Sequence, residues 1–333
     1  MKNGKAGFKG FLENTEKNTV LLTVIILVIL GWAGLFRADR FYTLSNFVSM
    51  AYQIPEFGIL SLGMTICMIS GGIDLSLVGN ANLCAVVAAI AVTRTESGLF
   101  AVIAAILTGA VCGCLNGILV GVMGIPAMLV TLGGLQIFTG LATAITKGSA
   151  ITGIPETFLF LGNGLLWGTI PVSLVVFIAI VLILMFLMKY SVYGQQLYML
   201  GTNTTASRYS GTNNIIVNLI TYILSGIVAS LAGIIMCSRY GSANADYGSS
   251  YTLLTLLIAV LGGIDPDGGK GKIFGVMLSV FILQLISSIF NILRFSSFLK
   301  TCIWGLILIV VMIINYWLAA GVGFHIQINK KGN

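Results

Sequence analysis

Apolar runs of roughly bilayer length follow one another from residue 19 to residue 318, with only short polar interruptions. A helix needs roughly 20 apolar residues to cross a hydrocarbon core about 30 Å thick. On that ruler the candidate spans are 19–36, 46–70, 75–92, 98–121, 126–146, 165–188, 215–237, 250–263, 272–293 and 298–318. One water-soluble core cannot hide so many. Composition agrees, since 57% of the 333 residues are hydrophobic and 8% are charged, against about 25% charged in a soluble domain. The expected fold is an all-α integral membrane protein with about ten transmembrane helices. Two of the spans are irregular: Pro55 and Glu56 interrupt the second, and the eighth is short. In transporters such broken segments line pathways, because their freed backbone groups need a cavity or a protein partner.

An even number of spans puts both termini on one side of the membrane. The segments on that side hold ten of the seventeen Lys and Arg residues, including Lys2, Lys5, Lys9 and Lys17 ahead of the first span. The excess of positive charge places that side in the cytoplasm. The expected organisation is a cytoplasmic tail at 1–18, a transmembrane domain at 19–318 with a cytoplasmic loop at 189–214, and a cytoplasmic tail at 319–333. The first run ends in "RADRF" without a small-x-small cleavage pattern, so it reads as a retained span.

Several function classes lack raw material. The net charge of +7 comes with no basic run, which argues against nucleic acid as a partner. The six cysteines lie within or at the ends of apolar segments, and Cys112-x-Cys114 has no second ligand cluster nearby. A metal centre is therefore not expected. With one histidine in the chain, a His-based triad is not available either.

Two strings resemble one another: "ISGGIDLS" at 69–76 and "LGGIDPD" at 261–267. A Gly-Gly pair stops a helix, and an acid two residues on can receive the free N–H groups of the next one. Gly71, Gly72 and Asp74 therefore predict a helix break that serves as cap or gate. Gly262 and Gly263 predict a second break ahead of Asp265. A carboxylate inside hydrocarbon costs about 2.5–3.5 kcal/mol on insertion scales, so Asp74 has to find a cap, a partner or the solute. The string "GGIDPDGGKGK" is no phosphate-binding loop, because Gly271 follows Gly269-Lys270 and Ile264 occupies the first glycine's place. A flexible turn is the expectation there.

Gly109, Gly113 and Gly117 fall on one face of the fourth span and predict close helix packing. Among polar residues inside spans, Asn80, Asn116, Thr131 and Gln136 are pathway candidates for a polyol, which needs donors and acceptors without strong charge. Interhelical hydrogen bonding is their alternative role. Glu56 is the only acid well inside a span, and no paired acid and base is evident within the spans.

Four strings in order now carry a resemblance: "SGGIDLS" with Val78-Gly79 behind it, "CLNGILVGVMGIPAMLVTLGG" at 114–134, "RYSG" at 208–211 with "LAGIIMCSRYGSANADYGSSY" at 231–251, and "VLGGIDPDGGKGKIFG" at 260–275. The chain resembles the ribose-type permease subunits of bacterial ATP-binding-cassette (ABC) importers, the branch that moves monosaccharides and autoinducer-2. The resemblance implies an inner-membrane subunit without catalytic chemistry. Its partners would be ABC ATPase subunits that hold ATP–Mg, a second permease chain (the same or a different one) and a periplasmic or lipid-anchored binding protein that delivers a small sugar. No cofactor would sit on this chain. Such permeases dock the ATPase through a short helix reading Glu-Ala-Ala, three residues, Gly. Thr205, Ala206, Ser207 and Gly211 match it, with Thr in place of the acid. Ribose-type members carry acids after the tyrosine of the eighth span, where this chain has Thr252 and Leu254, as in the autoinducer-2 branch. The alternatives are a nucleoside or branched-chain amino-acid ABC permease and, from another class, a stand-alone ion-coupled transporter.

Overall fold

The computed structural model describes residues 19, 21–31 and 39–319, with side chains through 313. The expected tails at 1–18 and 319–333 lie outside the described residues, apart from Ala319 at the end of the last helix. In chain order the helices are α1 (Leu21–Gly31), α2 (Leu44–Ile69), α3 (Leu77–Thr95), α4 (Gly98–Gly117), α5 (Ala127–Thr146), α6 (Glu156–Asn163) and α7 (Val172–Tyr190). Then come α8 (Val192–Thr202), α9 (Thr204–Tyr209), α10 (Asn214–Tyr240), α11 (Tyr251–Leu261), α12 (Ile273–Ile292) and α13 (Ser297–Ala319). A π-helical turn, Ile118–Val122, extends α4.

Among the described residues seven helices are long and apolar enough to cross a membrane, and the shorter apolar stretches Leu21–Gly31, Tyr251–Leu261 and Ser297–Ile313 fall where the first, eighth and tenth spans were expected. The sixth span differs. Residues 165–171 form a small antiparallel hairpin, β1 (Leu165–Leu166) with β2 (Ile170–Pro171), and the helix begins only at Val172. Its turn places Trp167 and Gly168 at positive φ, and apolar composition alone does not reveal such a break.

The helices sort by burial. α2, α3 and α10 form the centre, and α2 is buried continuously from Ile54 to Ile69. Pro55 sits inside α2 without ending it, as a core helix allows when packing satisfies the freed carbonyl. By contrast α4, α5 and α7 present large apolar side chains outward, among them Leu107, Leu129 and Phe186. That outer surface suits lipid. At 11 residues α11 spans only about 16 Å at 1.5 Å per residue, half a bilayer core.

The glycine stripe of α4 faces α10. A Cβ at Gly113 would lie 2.9 Å from the Ile223 Cα and run into the Tyr222 carbonyl oxygen, while one at Gly109 would strike the Gly226 carbonyl. Two backbones meet here with nothing between them, the arrangement that small residues make possible in membranes. Overpacking a tight core costs typically 1–3 kcal/mol, so Gly113→Leu should lower stability by about 3 kcal/mol or more. Gly140→Leu, on an open face with no atom within 4 Å of the added carbon, should be nearly neutral. Reversible unfolding of both variants in detergent micelles reads the difference.

Candidate functional site

The first Gly-Gly string forms an irregular segment, 70–76, between α2 and α3. Asp74 is only 3% exposed. Its Oδ1 accepts from the Ser76 N–H at 3.0 Å and from the Ser76 hydroxyl at 2.6 Å. Its Oδ2 accepts from the Ser225 hydroxyl at 3.0 Å, from within α10. Asn116, near the end of α4, donates to Ser76 Oγ at 2.8 Å, and Thr131 of α5 donates to the Ile73 carbonyl at 2.9 Å. One buried break therefore joins α2, α3, α4, α5 and α10. The cap position of α3 falls on Ser76, not on Asp74. Asp74 acts two residues earlier, fixing the turn that leads into the helix. Gly71 has φ +89, and a Cβ at Gly72 would come within 2.5 Å of the Tyr222 hydroxyl.

The second string does not float free. Asp265 pairs with Lys270 (3.2 Å) and accepts from the Asp267 N–H at 3.1 Å. The Gly269 N–H donates to the Ile69 carbonyl at 2.9 Å, so this loop stands on the end of α2 beside the first Gly-Gly pair. A Cβ at Gly262 would lie 2.7 Å from the Val276 Cα, and Gly263 has φ +82. The turn expected from composition is there, hydrogen-bonded to the end of α2.

The loop at 189–214 contains two short helices, α8 and α9. Within α9, Ser207 is buried and donates to Asn214 Oδ1 at 3.0 Å, while Asn214 Nδ2 donates to the Thr204 carbonyl at 2.8 Å. Thr205, Ala206, Arg208 and Tyr209 face outward, with Tyr209 88% exposed. Gly211, at φ +84, turns the chain toward α10.

The structure also holds a charge pair that the sequence reading missed. Glu56, near the middle of α2 and 1% exposed, binds Arg239 Nη1 at 2.6 Å. Tyr240 and Tyr251 both donate to its other oxygen, at 2.9 and 2.8 Å, and Arg239 also donates to the Tyr52 carbonyl. An acid and a base are thus paired within the spans after all. The expected seventh span stopped at 237, whereas α10 runs on to Tyr240 and brings Arg239 in.

Of the pathway candidates, Asn80, Asn116 and Thr131 are buried. Asn80 accepts from Cys84 Sγ at 3.3 Å, in addition to the roles of Asn116 and Thr131 above. Gln136 is the exception and lies exposed on α5. Polarity marks all four alike; only packing separates hydrogen-bonding residues from a surface amide.

A helix-rich body with seven membrane-length helices among its described residues defines a multi-pass membrane protein. The family described as branched-chain amino acid transport system / permease component matches residues 46–314, and the chain belongs to it. Similar relatives include the autoinducer 2 import system permease proteins LsrC of Yersinia pseudotuberculosis serotype O:3 (strain YPIII) and Yersinia pestis (strain Pestoides F). Each is 29% identical over 321 residues, covering 96% of this chain and 90% of the relative. No solved structure matches the chain. The protein is a multi-pass permease of the ABC importer type in the bacterial inner membrane, a transporter and not an enzyme.

Removing one partner of a buried ion pair costs roughly 3–5 kcal/mol. Arg239 keeps 20% exposure and can relax toward water, so Glu56→Leu should cost about 3 kcal/mol, the lower end of that range. The double variant Glu56→Leu/Arg239→Leu should recover part of the loss. Unfolding midpoints of the two single and one double variant measure the coupling.

Proposed function

We propose that this permease carries a small neutral polyol of the monosaccharide or autoinducer-2 kind, with ATP–Mg hydrolysed on separate ATPase subunits and no cofactor on this chain. The observation that carries the solute class is that both acids buried among the helices, Glu56 and Asp74, are fully partnered. Glu56 is held by Arg239 and two tyrosines, and Asp74 by Ser76 and Ser225. A free amino acid brings a carboxylate and an ammonium that these partnered acids do not serve. An ion-coupled carrier needs an ionisable group free to exchange its ion. A polyol needs neither. The naming of the relatives for autoinducer 2 import supports the same reading.

The pathway itself is assigned to α5 and a second permease chain. Gln136 stands exposed in the middle of an apolar span, and Gly133 and Gly140 on the same helix have no atom within 4 Å of a Cβ. An amide facing lipid is costly, whereas one facing a partner chain and a passing hydroxyl is not. Docking of the ATPase is assigned to α9, through Thr205, Ala206 and the neighbouring Tyr209, with Ser207 anchoring the helix from behind and Gly211 ending it. The gate is assigned to the break at Gly71, Gly72 and Asp74 and to the facing loop at Gly262 and Gly263. A binding protein outside the membrane delivers the solute. Each orientation of the cavity is favoured in turn by differential contact with the ATPase and the loaded receptor.

Two measurements test this. Tyr209→Ala should cut ATPase recovery in pull-downs at least tenfold while membrane insertion stays normal, and undiminished recovery would remove α9 from the docking role. The cognate binding protein, in a thermal-shift panel of autoinducer-2, pentoses, nucleosides and leucine, should respond to a polyol. A response to leucine alone would return the amino-acid reading.

A further inference from the structure

Resting on the assignment of α9 as the docking helix, we infer that a glycine joint at the end of α8 delivers the ATPase's movement to α2 and to the α11–α12 loop. Three segments meet there backbone to backbone. A Cβ at Gly201 of α8 would run into the Ile69 carbonyl oxygen of α2 and the Gly269 nitrogen of the α11–α12 loop. One at Gly268 would lie 2.7 Å from the Gly71 Cα and 3.1 Å from the Gly201 carbonyl, and one at Gly269 would lie 2.6 Å from the Thr202 nitrogen. Gly71, Gly268 and Gly269 all have positive φ, at +89, +93 and +74, which other residues adopt only at a cost. The Gly269 N–H hydrogen bond to Ile69 closes the contact.

Such a joint has no side chains to rotate out of the way, so displacement of one segment displaces the others. Interiors packed this closely transmit strain rather than absorb it. The remainder of α8 is tied down equally firmly. Tyr198 donates to the Gly271 carbonyl at 2.9 Å, Tyr193 shares a 2.9 Å hydrogen bond with Thr221 of α10, and Leu197 and Leu200 are buried. Between α8 and α9 only Asn203 intervenes, and it caps α9 by accepting from the Ala206 N–H. A push on α9 therefore has a short route into the end of α2. The middle of α2 carries Glu56, which grips Arg239, Tyr240 and Tyr251 at the α10–α11 junction. The joint thus links an inner contact surface to the charge cluster that holds α2 to α10 and α11.

The test uses the full permease–ATPase complex in nanodiscs, with Cys114 and Cys302 changed to serine and spin labels on Ser49→Cys and Asp246→Cys. These two exposed positions lie on the outer half of α2 and in the α10–α11 loop. Trapping ATP with vanadate should change the label-to-label distance in the parent. In Tyr198→Phe, which removes one hydrogen bond and keeps the ring, and in Gly201→Ala, the change should shrink by at least half while ATPase recovery stays at the parent level. A full change in Tyr198→Phe overturns the joint, even if Gly201→Ala fails to fold. So does a parent in which trapping moves nothing, and so does loss of the ATPase in Tyr198→Phe, which would make α8 part of the docking surface. Failure of the docking assignment reads differently: Tyr209→Ala would retain its ATPase.

Discussion

Hydrocarbon supplies no hydrogen bonds, so a chain that interrupts its helices within a membrane has to satisfy the exposed groups itself. Asp74 meets that demand where five helices come together. Its two oxygens take the Ser76 amide, the Ser76 hydroxyl and the Ser225 hydroxyl, so the end of α2 and the start of α3 are held against α10. Asn116 and Thr131 extend the same arrangement to α4 and α5. Without an acceptor at position 74 the segment would carry unpaired polar groups among five helices. Each would cost roughly 1–3 kcal/mol by the standard of buried unsatisfied groups.

Transport requires a body with more than one stable arrangement, and the distribution of interactions here suits that requirement. Backbone-to-backbone glycine contacts, such as those joining the end of α2 to α8 and to the α11–α12 loop, are stiff, while the middle of α2 is tied to α10 and α11 by hydrogen bonds and an ion pair. Stiff contacts move as a unit. Polar contacts can be exchanged for others at small net cost, because a hydrogen bond contributes only about 1 kcal/mol net when another partner replaces it. Glu56, Arg239, Tyr240 and Tyr251 form such an exchangeable set.

Many features were legible beforehand because they depend on local composition. Among the described residues each expected span overlaps a helix or a shorter apolar stretch, although the sixth opens with a hairpin. The Gly109–Gly113–Gly117 stripe faces a neighbouring backbone, as its spacing implies. The loop at 189–214 holds two short helices, the second of which includes Thr205, Ala206 and Ser207. Other features escaped because they join residues far apart in the chain. Glu56 and Arg239 are separated by 183 positions, and neither carries any sign of the other. The similarity of the two Gly-Gly strings was visible, but their contact was not. Gln136 looked like Asn116 and Thr131 until packing put it on an outer face.

Taken alone, the amino-acid sequence determined the solvent, the helical class and the two Gly-Gly breaks, since each follows from the free energy of placing particular residues in lipid or water. Only the tertiary structure decided what each break is for. Partner choice for a buried acid, and the meeting of two glycine loops with α8, depend on which surfaces come within a few ångströms of one another, and that distance is a property of the packed whole.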